Sequence, residues 1–170
     1  MLKVPAYIRK FMGNDFRQTE GVNASFDLLD FEDPSFNCCI GQEKAGCYII
    51  SATKRVFEYA NGKKSPILYI GCSNDLYRRL HDEHYLKHLS ILRKNRDYGI
   101  GKTSITCQMA DKYQYMLYSG CHVDVFYCKG KQDEFDFESY LLASFYDYYR
   151  CSPVGNGARS YGKRSKEGEG

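Results

Sequence analysis

Long hydrophobic runs are missing from this chain. Its apolar stretches, such as Tyr140-Leu141-Leu142-Ala143, fall far short of the roughly 20 residues that a helix needs to cross a bilayer. The mean hydropathy of -0.55 also argues against a membrane protein. A signal peptide's apolar segment is missing too: Lys3, Arg9 and Lys10 lie near the start with no apolar core behind them, so a cytoplasmic protein is expected. No C-x-x-C pair occurs among the eight cysteines, which removes the strongest sequence sign of a structural zinc site. Cys38 and Cys39 are adjacent, and Cys47 and Cys107 lie within apolar runs. The cysteines therefore read as buried thiols rather than a disulfide framework. There is no internal repeat and little excess charge, +3 over 170 residues.

What is present fits one globular domain. Hydrophobic residues make up 43% and charged residues 26%, ordinary values for a chain with its own core. The charge is unevenly placed. From Arg78 to Lys102 seven basic residues (Arg78, Arg79, Lys87, Arg93, Lys94, Arg96 and Lys102) face only Asp82, Glu83 and Asp97. Such a segment is either a phosphate-facing surface or a solvated helix face. Arg78, Lys87, Arg93, Lys94 and Arg96 are the candidate nucleic-acid contacts, and the tail adds Arg159, Lys163, Arg164 and Lys166.

Residues 1–45 are punctuated by Pro5, Gly13, Gly21, Pro34 and Gly41, so they read as an irregular N-terminal extension packed on the domain. Residues 47–52 and 67–71 read as strands on either side of an Asn61-Gly62 turn. Ser73-Asn74-Asp75 offers a cap for a helix starting at Leu76. Residues 87–120 look mostly helical with a break at Gly99-Ile100-Gly101, and 123–128 alternate as a third strand. From Glu134, Phe137, Leu141, Leu142, Phe145 and Tyr149 follow helical spacing, and Cys151-Ser152-Pro153 closes that helix. Residues 158–170 read as a flexible basic tail.

Several polar residues stand out, each with a plain alternative. Tyr48 and Tyr69 are two of 16 tyrosines, and a strand tyrosine is more often packing than chemistry. Arg79 can be a surface arginine, Glu138 an exposed helical position, and Asn156 a turn residue. His81, His84 and His88 share one face of an α-helix. A zinc-binding stripe ranks last for them, behind a phosphate-contacting or solvated face, because no further ligand follows at a usual spacing.

Taken together these residues resemble the GIY-YIG nuclease family over about residues 45–157. Gly46-Cys47-Tyr48 stands for its first motif, with Cys where Ile is usual, and Tyr69-Ile70-Gly71 reproduces the second. Arg79 follows Gly71 by eight residues, Glu138 opens Glu138-Ser139-Tyr140-Leu141-Leu142, and Pro153-Val154-Gly155-Asn156 matches the closing Pro-x-x-Asn. The family's histidine four residues after the arginine is replaced by Glu83, with His84 one place later. Some small phage and restriction-type members lack that histidine and carry a helical insertion.

The resemblance implies an α+β fold with a small antiparallel three-stranded sheet flanked by helices. The extension would cover residues 1–45, the nuclease-like domain 46–157, and the helical insertion about 85–120. It implies a divalent-metal-dependent endonuclease acting on DNA, with Mg²⁺ or Mn²⁺ at Glu138. Tyr48 would orient or deprotonate the attacking water, Arg79 would grip the phosphoryl oxygens, and Tyr69 would hydrogen-bond into the site. Asn156 would fix geometry, and His84 or Lys102 would complete the machinery. One carboxylate suits a cation that keeps several waters, and a planar guanidinium suits phosphate oxygens. A double-strand cut would need two sites or two events, so a homo-oligomer is one expectation. An inactive DNA-binding module and an endoribonuclease are the alternatives.

Overall fold

Tyrosines, β-branched residues and glycine crowd the two central segments, and these become the paired strands that carry both motifs. The computed structural model of the protein describes residues 2–12, 21–59, 61–89, 120–129 and 131–156, without the side chains of residues 87–89 and 131. In chain order its elements begin with α1 (Ala6–Met12), β1 (Ala24–Asp27) and a 3-10 turn (Leu28–Glu32). Next come β2 (Gly46–Ala52), β3 (Phe57–Glu58), β4 (Lys64–Ser65) and β5 (Ile67–Ser73). Helix α2 opens as Leu76–Arg78 and runs on as a π-helix over Arg79–Leu89, and β6 (Cys121–Tyr127) and α3 (Lys131–Tyr149) follow.

The main sheet is antiparallel with four strands, in the order β1-β6-β2-β5. The expected three strands are β2, β5 and β6, and the α+β class holds. The fourth corrects the reading of residues 1–45 as irregular. Ala24-Ser25-Phe26-Asp27 alternates buried and more exposed residues and pairs with β6 from Ala24↔Val125 to Asp27↔His122. It is too short to stand out by pattern alone. The Asn61-Gly62 turn closes a separate small hairpin, β3–β4, that sits between β2 and β5, with Gly62 at φ +75°.

Register assigns the faces. Ala24, Val125, Tyr48 and Gly71 form one cross-strand row, and Phe26, Val123, Ile50 and Tyr69 form the next on the same side. This side meets the 3-10 turn and α2, where Phe26 stacks edge-on against Phe31 and Phe31 against Tyr77. The opposite side meets α1 and α3, with Phe137 edge-on to Phe126 at 5.5 Å and Phe11 edge-on to Phe145 at 5.3 Å. Each such ring contributes roughly 1.5–3 kcal/mol by burial. Asp133 and Glu134 in the first turn of α3 favour its N-terminus. Arg150, at φ +58°, ends it in the left-handed cap conformation just before Pro153. Among the described residues no helix is long and apolar enough to cross a membrane.

The cysteine reading holds only in part. Cys47 and Cys121 are buried, Cys38, Cys72 and Cys128 are half-buried, and Cys39 and Cys151 are exposed. The adjacent Cys38-Cys39 pair follows a turn rather than a strand, so it stays near the surface.

Candidate active site

The two motif glycines are required by close approach. A Cβ on Gly46 would lie 2.1 Å from the carbonyl oxygen of Phe126, so only glycine lets β2 and β6 meet there. A Cβ on Gly71 would lie 2.7 Å from both the Cζ and the hydroxyl of Tyr48, and 2.7 Å from Cε1 of Tyr69. Gly71 is the direct cross-strand partner of Tyr48. The Tyr48 ring therefore lies across the glycine, with its hydroxyl over the edge strand β5. Tyr48 is 1% exposed, and its ring centroid stands 6.0 Å from that of Tyr69.

His84 meets this hydroxyl. Its Nε2 is 2.7 Å from Oη of Tyr48, and the imidazole is buried at 3% exposure with its ring 5.5 Å from that of Tyr69. The π-helix explains how a histidine five residues after Arg79 arrives there. Hydrogen bonding from i to i+5 widens the turn, so that residues 83 and 84 both lie about one turn on from residue 79. Glu83 is the partner of Arg79, with which it forms an ion pair, and of Arg78 at 3.3 Å. The expectation that His81 shares the face of His84 is corrected: His81 stacks on Tyr77 at 5.3 Å and bonds Asp82 at 2.7 Å. The side chain of His88 lies outside the described residues.

Electrostatics ties four residues into one group. Burial pushes the Tyr48 phenol well above its ordinary range. Tyr69 and Glu138 push it further, and only Arg79 pulls it back. Tyr69 is raised in the same way, by burial and then Glu138, against Arg79. Burial alone would lower the Arg79 guanidinium, yet Tyr48, Glu83 and Tyr69 more than offset that and hold it protonated. Its Nε is buried and has no hydrogen-bond partner among the described residues, while 39% of the side chain remains open. Glu138 is 7% exposed on α3, not the open helical position that was the plain alternative.

Asn156 acts on the strand and not on the phenols. Its Oδ1 accepts from the backbone N–H of Ile70 at 2.9 Å, and its Nδ2 donates to the Ile70 carbonyl at 2.8 Å. Beside it the N–H of Gly155 donates to the Leu68 carbonyl at 2.7 Å, an approach that a Cβ would block at 2.6 Å. The outward carbonyl of Leu68 and both outward backbone groups of Ile70 on edge strand β5 are thereby satisfied. The segment Pro153 to Asn156 clamps the residues on both sides of Tyr69.

The structure thus brings together Tyr48, Tyr69, Arg79, His84 and Glu138, with Asn156 behind them. Arg78 lies exposed on the outside of α2. Arg93, Lys94, Arg96 and Lys102 fall outside the described residues, and Lys87 is described only in its backbone. No group of three or more His, Cys, Asp or Glu side chains that could hold a metal occurs among the described residues. A hydrated Mg²⁺ or Mn²⁺ taking one carboxylate, Glu138, beside two phenols does fit. Neither Glu83 as the arginine's partner nor the π-register has a direct sign in the residue pattern. A second polar group also went unread, formed by Tyr7, Ser25, Asp27, His122 and Asp124. Its only signal is polar residues at alternate positions on two strands. In comparisons with known proteins, no protein-family model, curated protein or solved structure matches this chain.

Proposed function

We propose that the chain is a GIY-YIG-type endonuclease that hydrolyses DNA phosphodiester bonds with one divalent metal ion. The observation that carries this reading is the 2.7 Å contact between Oη of Tyr48 and Nε2 of His84, made beside Arg79 and Glu138. A buried tyrosine whose pKa is raised cannot ionise by itself near neutral pH. An imidazole nitrogen within hydrogen-bond reach gives its proton somewhere to go.

In this reading Tyr48 holds the attacking water in line and passes the proton it receives toward His84. Tyr69 supports the same face of the site. Arg79 stays charged and offers its fork of donors to the nonbridging phosphoryl oxygens, where negative charge grows in the transition state. Glu138 would hold Mg²⁺ or Mn²⁺, which when bound supplies positive charge to the phosphate and the leaving oxygen. Asn156 keeps β5 in place and so sets the direction of Tyr69.

Plasmid DNA incubated with the protein and Mg²⁺ or Mn²⁺ tests the proposal. Wild type is expected to convert supercoiled DNA to nicked or linear forms, and Glu138→Ala to lose this activity. Binding without cleavage under every metal and salt condition would leave an inactive DNA-binding module. Equal cleavage by both proteins would place the activity elsewhere.

A further inference from the structure

Cys47, the residue before Tyr48, is fully buried and has two other thiols beside it. Its Sγ donates to the Glu134 carbonyl at 3.0 Å. Burial first, then contact with the Cys128 and Cys72 thiols, pushes the Cys47 pKa far above its ordinary range. Cys72 and Cys128 are only half-buried, so solvent reaches them before it reaches Cys47. The chemistry proposed above uses none of the three. Cys47 and Cys72 are direct partners between β2 and β5, so both thiols stand on the α3 side of the sheet.

The backbone ladder fixes how close they come. In an antiparallel sheet, pairs that exchange hydrogen bonds alternate with pairs whose backbone groups point away from each other. On β5 the N–H and C=O of Ile70 turn outward to Asn156, and the Leu68 carbonyl turns outward to Gly155. Ile49↔Ile70 is therefore a pair of the second kind. So is Cys47↔Cys72, two residues further along an unbroken register. Pairs of this kind hold their Cα atoms about 4.5 Å apart, within the roughly 4.4–6.8 Å that a disulfide spans. Cys128 stands diagonal to Cys47, because Phe126 is the direct partner of Cys47 and the Cys128 N–H donates to the Ala45 carbonyl at 2.9 Å. Diagonal neighbours lie about 7–8 Å apart, too far for a disulfide without backbone movement. The register selects one pair among the three thiols.

We propose that Cys47 and Cys72 form a modification site for hydroperoxides, closing to a disulfide that ties β2 to β5 and slows the reaction beside it. The hydroperoxide first oxidises the half-buried Cys72 thiol to a sulfenic acid, its O–O bond breaking and water or an alcohol leaving. The Cys47 sulfur then attacks the Cys72 sulfur. The S–S bond forms as the S–O bond breaks, and the hydroxyl departs with the Cys47 proton as water. The two thiols thus give up two hydrogens and two electrons, and the electrons reduce the peroxide. Bridging draws the two Cβ atoms from the about 4.5–5.5 Å of a cross-strand pair to about 3.8 Å. The next pair, Tyr48↔Gly71, has no slack to follow, since the Tyr48 hydroxyl already lies 2.7 Å from where a Gly71 Cβ would stand. The Tyr48 ring must shift. This effect on cleavage rests on the nuclease reading; the bridge itself does not.

The full chain, reduced and then treated with hydrogen peroxide, tests it. Non-reducing peptide mapping is expected to find Cys47 joined to Cys72, in wild type and in Cys128→Ser alike, and dithiothreitol to undo the link. Single-turnover cleavage by the treated wild type is expected to fall about tenfold or more and to recover with dithiothreitol. Cys72→Ala, a change at a half-buried position, is expected to cut at one rate before and after treatment. Treated wild type with Cys47 and Cys72 both free, or with Cys47 joined to Cys128, overturns the proposal and leaves the nuclease reading intact. A Cys47–Cys72 link without loss of cleavage overturns the slowing. If untreated wild type cuts no DNA the nuclease reading falls, and the mapped link alone decides the modification site.

Discussion

Tyr48 is packed as tightly as a core residue and yet ends in a polar contact. Its ring needs Gly71 beneath it, since any Cβ there meets both phenols at 2.7 Å. Gly71→Ala is expected to cost about 1–3 kcal/mol, as overpacking does, and to lower cleavage because the displaced ring is the one whose hydroxyl meets His84. Urea unfolding beside single-turnover cleavage checks both effects. Arg79→Lys keeps the charge but loses the planar fork. It is expected to reduce single-turnover cleavage by about a hundredfold or more with little change in melting, since Arg79 pairs at a partly open position. Retained wild-type activity in Arg79→Lys would show that the guanidinium does not grip the phosphate. At this scale the sequence made Tyr48, Tyr69, Arg79 and Glu138 legible by type and spacing. It left Glu83 unread, because an acid four residues after an arginine on a helix is also the commonest surface pair.

Two elements set these side chains in place. The first is α2, whose π-helical part turns an offset of five residues into a shared side of the helix and so returns His84 to the site. This could not be read from the sequence: an α-helical count separates Arg79 from His84, and the wider turn goes with the burial of both Leu80 and His84. The second is β5, whose outer edge is closed by Asn156. Asn156→Ala removes both bonds to Ile70 and is expected to cost about 1–3 kcal/mol. Cleavage should fall as well, because Tyr69 follows β5. Asn156→Asp keeps the acceptor for the Ile70 N–H but offers no donor to its carbonyl, so it should recover at most part of the loss. Thermal melts of the three proteins rank these effects. Strands β2, β5 and β6 and helix α3 were legible from alternation, β-branched content and helical spacing. Strand β1 was not, because four residues give too short a period and its place is fixed by pairing with β6.

Across the whole molecule the N-terminal residues are part of the domain. Tyr7 of α1 donates to Asp124 at 2.7 Å, and Ser25 of β1 donates to the same carboxylate at 2.8 Å. His122 lies 2.6 Å from Ser25 and 2.8 Å from Asp27. Hydrogen bonding to Asp124, with Asp27 adding to it and burial opposing, raises the His122 pKa from 6.5 to about 9. A raised histidine pKa means that the folded state holds the proton more tightly than the unfolded chain. The resulting stability is fully present below about pH 6.5 and is lost as pH rises through about 9. Since a third of the side chain is open to water, the effect is moderated by screening. Melting temperature should fall from pH 6.5 to 9 in wild type, and this part of the fall should vanish in His122→Gln. A wild-type slope in that variant would assign the pH dependence to other groups.

In the proposed reaction Tyr48, acting with His84, Arg79 and Glu138, carries DNA hydrolysis, and Tyr48→Phe is the sharpest probe of it because the ring and its packing over Gly71 remain. Single-turnover cleavage of a labelled duplex in Mg²⁺ or Mn²⁺ should fall by about a hundredfold or more when the hydroxyl is removed, with duplex binding within about twofold of wild type. Cleavage by Tyr48→Phe at the wild-type rate would show that the Tyr48 hydroxyl takes no part in hydrolysis.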